Sequence, residues 1–159
     1  MNEFSKPIEV ASADAMHQLG HALAAQLVAG DVVYLSGPLG AGKTTLAQAI
    51  VRGLGFSGRV KSPSYGLIEL YPTNGLMVVH LDLYRLSAAE QVADLGLEAY
   101  TTTGTADKAD TVMLIEWPSR GEGHLPPASW VVEIEDGLGA SGPTSEPGIT
   151  HRRVTVSQR

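Results

Sequence analysis

Cysteine is absent from these 159 residues, which excludes disulfides and thiolate metal sites and leaves no sign of a cross-linked secreted fold. Asparagine is nearly absent. Only Asn2 and Asn74 occur, so no N-K-x-D stretch exists to read a guanine base, and a GTPase is disfavoured. Basic residues are outnumbered, 11 Lys and Arg against 17 Asp and Glu, for a formal net charge of −6. Long-range electrostatics therefore do not favour unaided binding to a polyanion. Arg152-Arg153 is the single adjacent basic pair, so any nucleic-acid role is expected to be shared with a partner. The arginines form no cluster of the kind that closes over the acceptor of a small-molecule kinase. No apolar run approaches the roughly 18 residues of a bilayer span. The stretch Met-Asn-Glu-Phe-Ser-Lys at the start has no basic segment leading into an apolar one, so no signal peptide is read there. The expectation is a cytoplasmic protein with no membrane association.

What is present begins with 43% hydrophobic residues, ample for one domain at this length and short for two. One domain over residues 1–159 is expected. Residues 37 to 44 read G-P-L-G-A-G-K-T, a full match to the phosphate-cradling pattern G-x-x-x-x-G-K-[ST]. Gly37, Gly40 and Gly42 let the backbone bring its N–H groups against phosphate oxygens. Lys43 supplies a point charge for the β- and γ-phosphates, and the Thr44 hydroxyl is placed to ligate Mg²⁺. From this composition the fixed positions arise by chance in roughly one chain of this kind in a hundred. Context narrows that further: Val32-Val-Tyr-Leu35 is a β-prone run before the loop, and Thr45 to Arg52 reads as a helix with Gly53 and Gly55 as stops. Strand, glycine loop and helix together aim a helix N-terminus at an anion.

Along the rest of the chain, residues 1–11 read as a loose or strand-like entry. Ser12 is placed to cap a helix reaching about Ala29, with Met16, Leu19, Leu23 and Leu27 on one face and Gly30 as its stop. Residues 65–71 and 76–83 flank the turn signal Pro72-Thr-Asn-Gly75 and are expected to pair as an antiparallel hairpin. Ser87-Ala-Ala-Glu90 is a capping box opening a short helix that Gly96 ends. Val112 to Ile115 is a buried-type strand ending on Glu116, and 129–135 and 152–157 are two late strands. Residues 137–148, rich in Gly and Pro, read as a mobile hairpin loop between them. The expected fold is an α/β phosphate-loop NTPase with a parallel nucleotide-binding centre and antiparallel hairpins, flanked by helices.

A loop that hydrolyses or transfers phosphate needs an acidic partner at a nearby strand end. Two fit: Asp82, ending Met77-Val-Val-His-Leu-Asp, and Glu116, ending Val112-Met-Leu-Ile-Glu. Spacing leaves open which ligates Mg²⁺ and which orients the attacking water. His80 shares a strand face with Asp82 and suits a hydrogen-bonded structural role better than a catalytic one. Arg85 divides evenly between phosphate sensor and surface residue. Trp117, beside Glu116, suits core packing or the reading of a partner. Ser62-Pro63-Ser64-Tyr65 stands where phosphate-loop switches carry a segment ordered by the γ-phosphate, and an ordinary loop is an equal alternative.

Four blocks in order, G-P-L-G-A-G-K-T-T (37–45), V-K-S-P-S-Y (60–65), H-L-D-L-Y-R-L (80–86) and L-I-E-W-P (114–118), resemble the bacterial TsaE (YjeE) family over about residues 14–135. The resemblance implies a small ATPase of tRNA threonylcarbamoyladenosine biosynthesis, using Mg²⁺ with ATP as substrate and weakly active alone. Its implied partners are the TsaB–TsaD pair, which modifies adenosine 37 of ANN-decoding tRNAs, so that tRNA is reached through the complex. It implies ATP binding by Gly37, Leu39, Gly40, Ala41, Gly42, Lys43, Thr44 and Thr45. Lys43, Asp82 and Glu116 take catalytic roles, with Thr44, Glu116 and Asp82 at the metal. Ser62, Pro63, Ser64, Tyr65 and Trp117 take switch or partner roles, and the segment near Ser12–Ala15 lies near the adenine. Pro38 stands where many relatives are acidic, in a variable slot, and 137–148 reads as an insertion that leaves a nucleotide contact from Arg152 or Arg153 open. A nucleotide-gated assembly factor in which hydrolysis is incidental remains the non-enzyme alternative.

Overall fold

The computed structural model describes residues 4–61, 67–73, 75–101, 110–137 and 151–159. The expected switch segment Ser62–Tyr65 and residues 138–148 of the expected hairpin loop lie outside them. Among the described residues the strands are β1 (Ile8–Val10), β2 (Val32–Ser36), β3 (Ile68–Pro72), β4 (Met77–Asp82), β5 (Thr111–Glu116), β6 (Trp130–Asp136) and β7 (Arg152–Gln158). They form one sheet in the order β1-β7-β6-β2-β5-β4-β3. The inner strands β6, β2, β5 and β4 run parallel, and β7, β1 and β3 join antiparallel at the flanks. This is the single mixed α/β sheet the sequence predicts.

Period-two alternation decides what each strand offers to either face. Val33 and Leu35 of β2, Val78 of β4, and Val112 and Leu114 of β5 pack with helices α1 (Ala13–Ala24) and α2 (Lys43–Gly53). Val32, Val79, Leu81, Met113 and Ile115 face the other way, onto Leu86 from the link after β4, Val92 from a 3₁₀ turn (Ala89–Leu95) and Leu97 from the segment entering the short helix α3 (Glu98–Thr101). His80 and Asp82 share the parity of Val78, and Glu116 shares that of Leu114, so all three belong to the α2 side of the sheet.

Ser12 caps α1, its Oγ accepting from Ala15 N at 3.1 Å. The helix stops at Ala24 rather than near Ala29: Gln26 N–H bonds Leu23 O and Leu27 N–H bonds Ala24 O, and these tightened turns end the α ladder. Leu27 still packs in the core from outside the helix, which is why its spacing mimics a longer one. At the 3₁₀ turn the side chain that reaches back is Gln91, not Glu90; Gln91 Oε1 accepts from Ser87 N at 3.0 Å and Ala88 N at 3.3 Å, because the cap falls at Ala88, one residue later than the Ser-x-x-Glu spacing suggests, and alanine returns no side-chain bond. The hairpin of β3 and β4 is present, with β3 running Ile68–Pro72; the expected start at Tyr65 lies outside the described residues.

Helices α1 and α2 cross where Gly20 meets Ala49. A Cβ added at Gly20 would lie 2.3 Å from Ala49 Cβ and 3.1 Å from its carbonyl carbon, so no rotamer relieves it. Gly20→Val is expected to destabilise the fold by about 3 kcal/mol through overpacking, measured as a lower urea midpoint at unchanged slope.

Candidate functional site

The glycine-rich loop leaves β2 at Ser36 and enters α2 at Lys43. Its glycines serve two geometric needs. Gly42, at φ 105°, is the left-handed residue preceding the first turn of α2. Gly37 lies so close to β6 that a Cβ there would stand 2.8 Å from Ile134 O. The N–H groups of the first turn of α2 open onto a cleft of about 260 Å³ between the loop, Asp82, Tyr84, Glu116 and Trp117.

Strand order builds the acidic wall of this cleft. β5 lies directly beside β2, and β4 lies beside β5 in a register that pairs Asp82 with Glu116. Thr44 Oγ1 donates to Glu116 Oε1 at 2.8 Å, while Glu116 Oε2 lies 2.7 Å from His80 Nε2. Glu116 and His80 are 1% and 0% exposed. Asp82 is half-buried at the rim, its Oδ1 accepting from Tyr84 N at 3.1 Å. Lys43 is 4% exposed. Its ammonium donates to Gly37 O and Pro38 O, both at 2.7 Å, and lies 4.3 Å from the centre of the Trp117 ring.

Burial pushes the Lys43 ammonium below its ordinary range, and the nearby Glu116 and Asp82 carboxylates oppose that shift. Burial likewise holds the Asp82 carboxyl above its ordinary range; the Tyr84 N–H bond pulls it back down, while the charge of Glu116 pushes it up. The folded state thus keeps the Asp82 proton to higher pH than the unfolded chain does. Its stability contribution is full below about pH 4 and is lost as pH rises through the raised value. Asp82→Asn is therefore expected to raise the melting temperature at pH 7 by about 2 °C, a small gain because the rim position is part-solvated. The gain is expected to vanish below pH 4 in a melting series across pH.

Trp117 was legible as an aromatic beside Glu116, but not its conformation. At φ 57° it is the one non-glycine in the left-handed region among the described residues, a backbone state that costs roughly 1–2 kcal/mol. That turn carries its ring over Lys43 and against Tyr84, at 4.9 Å between ring centres. Arg120 in turn stands 5.4 Å over Tyr84. Sequence reasoning gave no role to Tyr84 or Arg120, since neither lies in a spacing that points at the loop. Leu39 is exposed at the loop tip, and Arg85 is exposed just beyond β4. Gly40, Ala41 and Thr45 lie on both sides of the loop, lining the first cleft and a second one of about 160 Å³. Val10, Ser12, Ala13, Met16 and Arg152 close that second cleft. Arg152 pairs with Asp136 and donates to Gly40 O at 3.3 Å, whereas Arg153 pairs with Glu9 at 3.0 Å.

Residues 10–140 match the family described as threonylcarbamoyl adenosine biosynthesis protein TsaE. The chain belongs to the TsaE family. It is 45% identical over 104 residues to the protein named tRNA threonylcarbamoyladenosine biosynthesis protein TsaE of Haemophilus influenzae, covering 65% of this chain and 62% of that protein. The match thus spans under two thirds of the Haemophilus protein's length. It is 42% identical over 113 residues to the protein of that name from Streptomyces coelicolor, covering 69% and 70% of the two chains. The Synechocystis TsaE protein is 39% identical over 120 residues, covering 76% and 74%. Among solved structures, Bacillus subtilis YdiB superposes with a TM-score of 0.70 at 25% identity, covering 97% of this chain and 86% of that one. Among the described residues of this TsaE family member, no helix is long and apolar enough to cross a membrane.

Proposed function

We propose that this TsaE family member is a cytoplasmic Mg²⁺-dependent ATPase required for threonylcarbamoyl modification of adenosine 37 in ANN-decoding tRNAs. It is weakly active alone and works with a transferase pair of the TsaB–TsaD kind, reaching tRNA through that complex. The observation that carries the reading is the 2.8 Å contact of Thr44 with Glu116 across 72 residues of sequence. Two hard oxygen donors converge beside the N-terminus of α2, and this donor set fits Mg²⁺, which takes one or two protein ligands together with substrate phosphates and water. Thr44 and Glu116 would hold the ion; when bound, it supplies neutralisation of the charge on the β- and γ-phosphate oxygens.

The chain's own groups do the rest. Loop and α2 N–H groups receive the phosphates. Lys43 exchanges its carbonyl partners for phosphate oxygens, kept at the cleft wall by the Trp117 ring. Asp82, with one oxygen fixed by Tyr84 N–H, accepts a hydrogen bond from the attacking water. The water adds to the γ-phosphorus, the bond to the β–γ bridging oxygen breaks, and ADP and phosphate leave with release of one proton. The second cleft, between Ser12, Met16 and Arg152, suits the adenosine end of the nucleotide. Turnover measured with Mg²⁺ or with EDTA, with and without the transferase pair and tRNA, tests the reading. Slow Mg²⁺-dependent hydrolysis that the pair accelerates is expected; failure to bind ATP by calorimetry overturns it.

A further inference from the structure

The buried face behind Glu116 holds one polar side chain that the mechanism above leaves without work. His80 sits in the middle of β4, 0% exposed, among Val78, Val79 and Leu81, which are equally buried. An imidazole there has a desolvation cost that an apolar side chain of β4 does not. Its Nε2 meets Glu116 Oε2 at 2.7 Å, while Nδ1 is buried with no hydrogen-bond partner among the described residues. Those two facts fix the tautomer. A proton on Nδ1 would leave a stranded N–H and turn the Nε2 lone pair toward a carboxylate oxygen, so Nε2 carries the proton and Nδ1 is a bare lone pair. The imidazole is therefore anchored from one side only, by the carboxylate it donates to.

Glu116 is anchored at both oxygens. Oε2 takes the His80 N–H, and Oε1 takes the Thr44 hydroxyl. A glutamate carboxylate turns on three torsions, but held at Oε2 from below it can present only Oε1 to the phosphate loop. We propose that His80 is a positioning residue, whose Nε2–H locks the Glu116 carboxylate so that Oε1 faces Thr44 and the cation of the bound nucleotide. This rests on the nucleotide-site reading above. The hydrogen-bond partners of ligating carboxylates commonly set metal affinity by about tenfold to a hundredfold, and His80 acts on the metal rather than on the phosphates.

The test separates metal from nucleotide. Mn²⁺ binding to the protein–ADP complex is titrated by electron paramagnetic resonance for wild type, His80→Leu, His80→Asn and His80→Gln, and ADP affinity in EDTA is measured by calorimetry for each. Loss of about tenfold to a hundredfold in Mn²⁺ affinity is expected for His80→Leu and His80→Asn. ADP affinity in EDTA is expected to stay within about twofold. His80→Gln, whose amide N–H reaches the carboxylate, is expected to recover most of the loss. If the apolar variant does not fold, the Asn and Gln pair decides, since both are polar and only one is long enough to reach. Unchanged Mn²⁺ affinity in His80→Leu or His80→Asn overturns the proposal, as does an equal loss of ADP affinity in EDTA, which marks general damage to the site. Absence of Mn²⁺ binding in the wild type overturns the nucleotide-site reading itself.

Discussion

Lys43→Ala is expected to weaken ATP binding by at least about a hundredfold while leaving a folded protein. The size follows from the number of contacts. The ammonium makes two short bonds to loop carbonyls, each at 2.7 Å, and it must trade them for phosphate oxygens. Hydrogen bonds to charged groups contribute about 1.5–3 kcal/mol each, so losing two costs on the order of 3–6 kcal/mol, or about two to four decades of affinity. The fold survives because the same ammonium is buried at a cost: burial already lowers its proton affinity, and alanine removes that charge. Two favourable contacts are lost in the variant. The carbonyls of Gly37 and Pro38 lose their donor, and Glu116 and Asp82 lose a nearby positive charge. Neither supplies a phosphate ligand, so binding falls whichever of them dominates stability. Calorimetric titration with ATP in Mg²⁺ reads the outcome, and unchanged affinity rejects the phosphate-loop assignment.

The loop could be read from sequence because its chemistry is local. Strand, glycines, Lys43 and the first turn of α2 are contiguous, and their φ demands are met by residue type alone. The acidic wall is not local. Asp82 and Glu116 each stood out as a carboxylate at the end of an apolar strand, but the order β2-β5-β4 places Glu116 next to the loop strand and Asp82 one strand further out. Parallel neighbours are chosen by packing of both faces and by crossover connections, which no spacing in the chain records. The shared parity of His80 and Asp82 was visible, whereas the bond from His80 to Glu116 requires the β4–β5 register. Trp117 shows a different limit. Left-handed backbone is written into Gly42, but nothing in a tryptophan announces it, so the ring's place over Lys43 is a tertiary effect. The length of α1 failed for the opposite reason: Leu27 keeps helical spacing and core burial after the helix has ended.

Glu116→Gln is expected to leave metal-free ATP binding within about twofold of wild type while reducing partner-stimulated hydrolysis by about a thousandfold. The substitution is nearly isosteric, and the Thr44 hydroxyl still finds an oxygen acceptor. On the other side the new amide meets His80, which can accept from it only by moving its proton to Nδ1, where no partner awaits. The cleft therefore keeps its shape at some cost in stability but loses the anionic oxygen beside Thr44. Asp82→Asn provides the contrast. It retains Glu116, so Mg²⁺ should still strengthen ATP binding, while turnover falls because the water loses its acceptor. Calorimetry in EDTA and in Mg²⁺, with phosphate release in the presence of the transferase pair, distinguishes the two carboxylates. Full stimulated turnover in Glu116→Gln, with lost Mg²⁺ dependence in Asp82→Asn, exchanges their roles. The Asp82 variant then carries the decision between enzyme and scaffold. It is predicted to bind Mg²⁺ and ATP without hydrolysing, so in a reconstituted system it should support one round of tRNA modification at most. Modification continuing over many turnovers with that variant means that nucleotide binding suffices and hydrolysis is incidental.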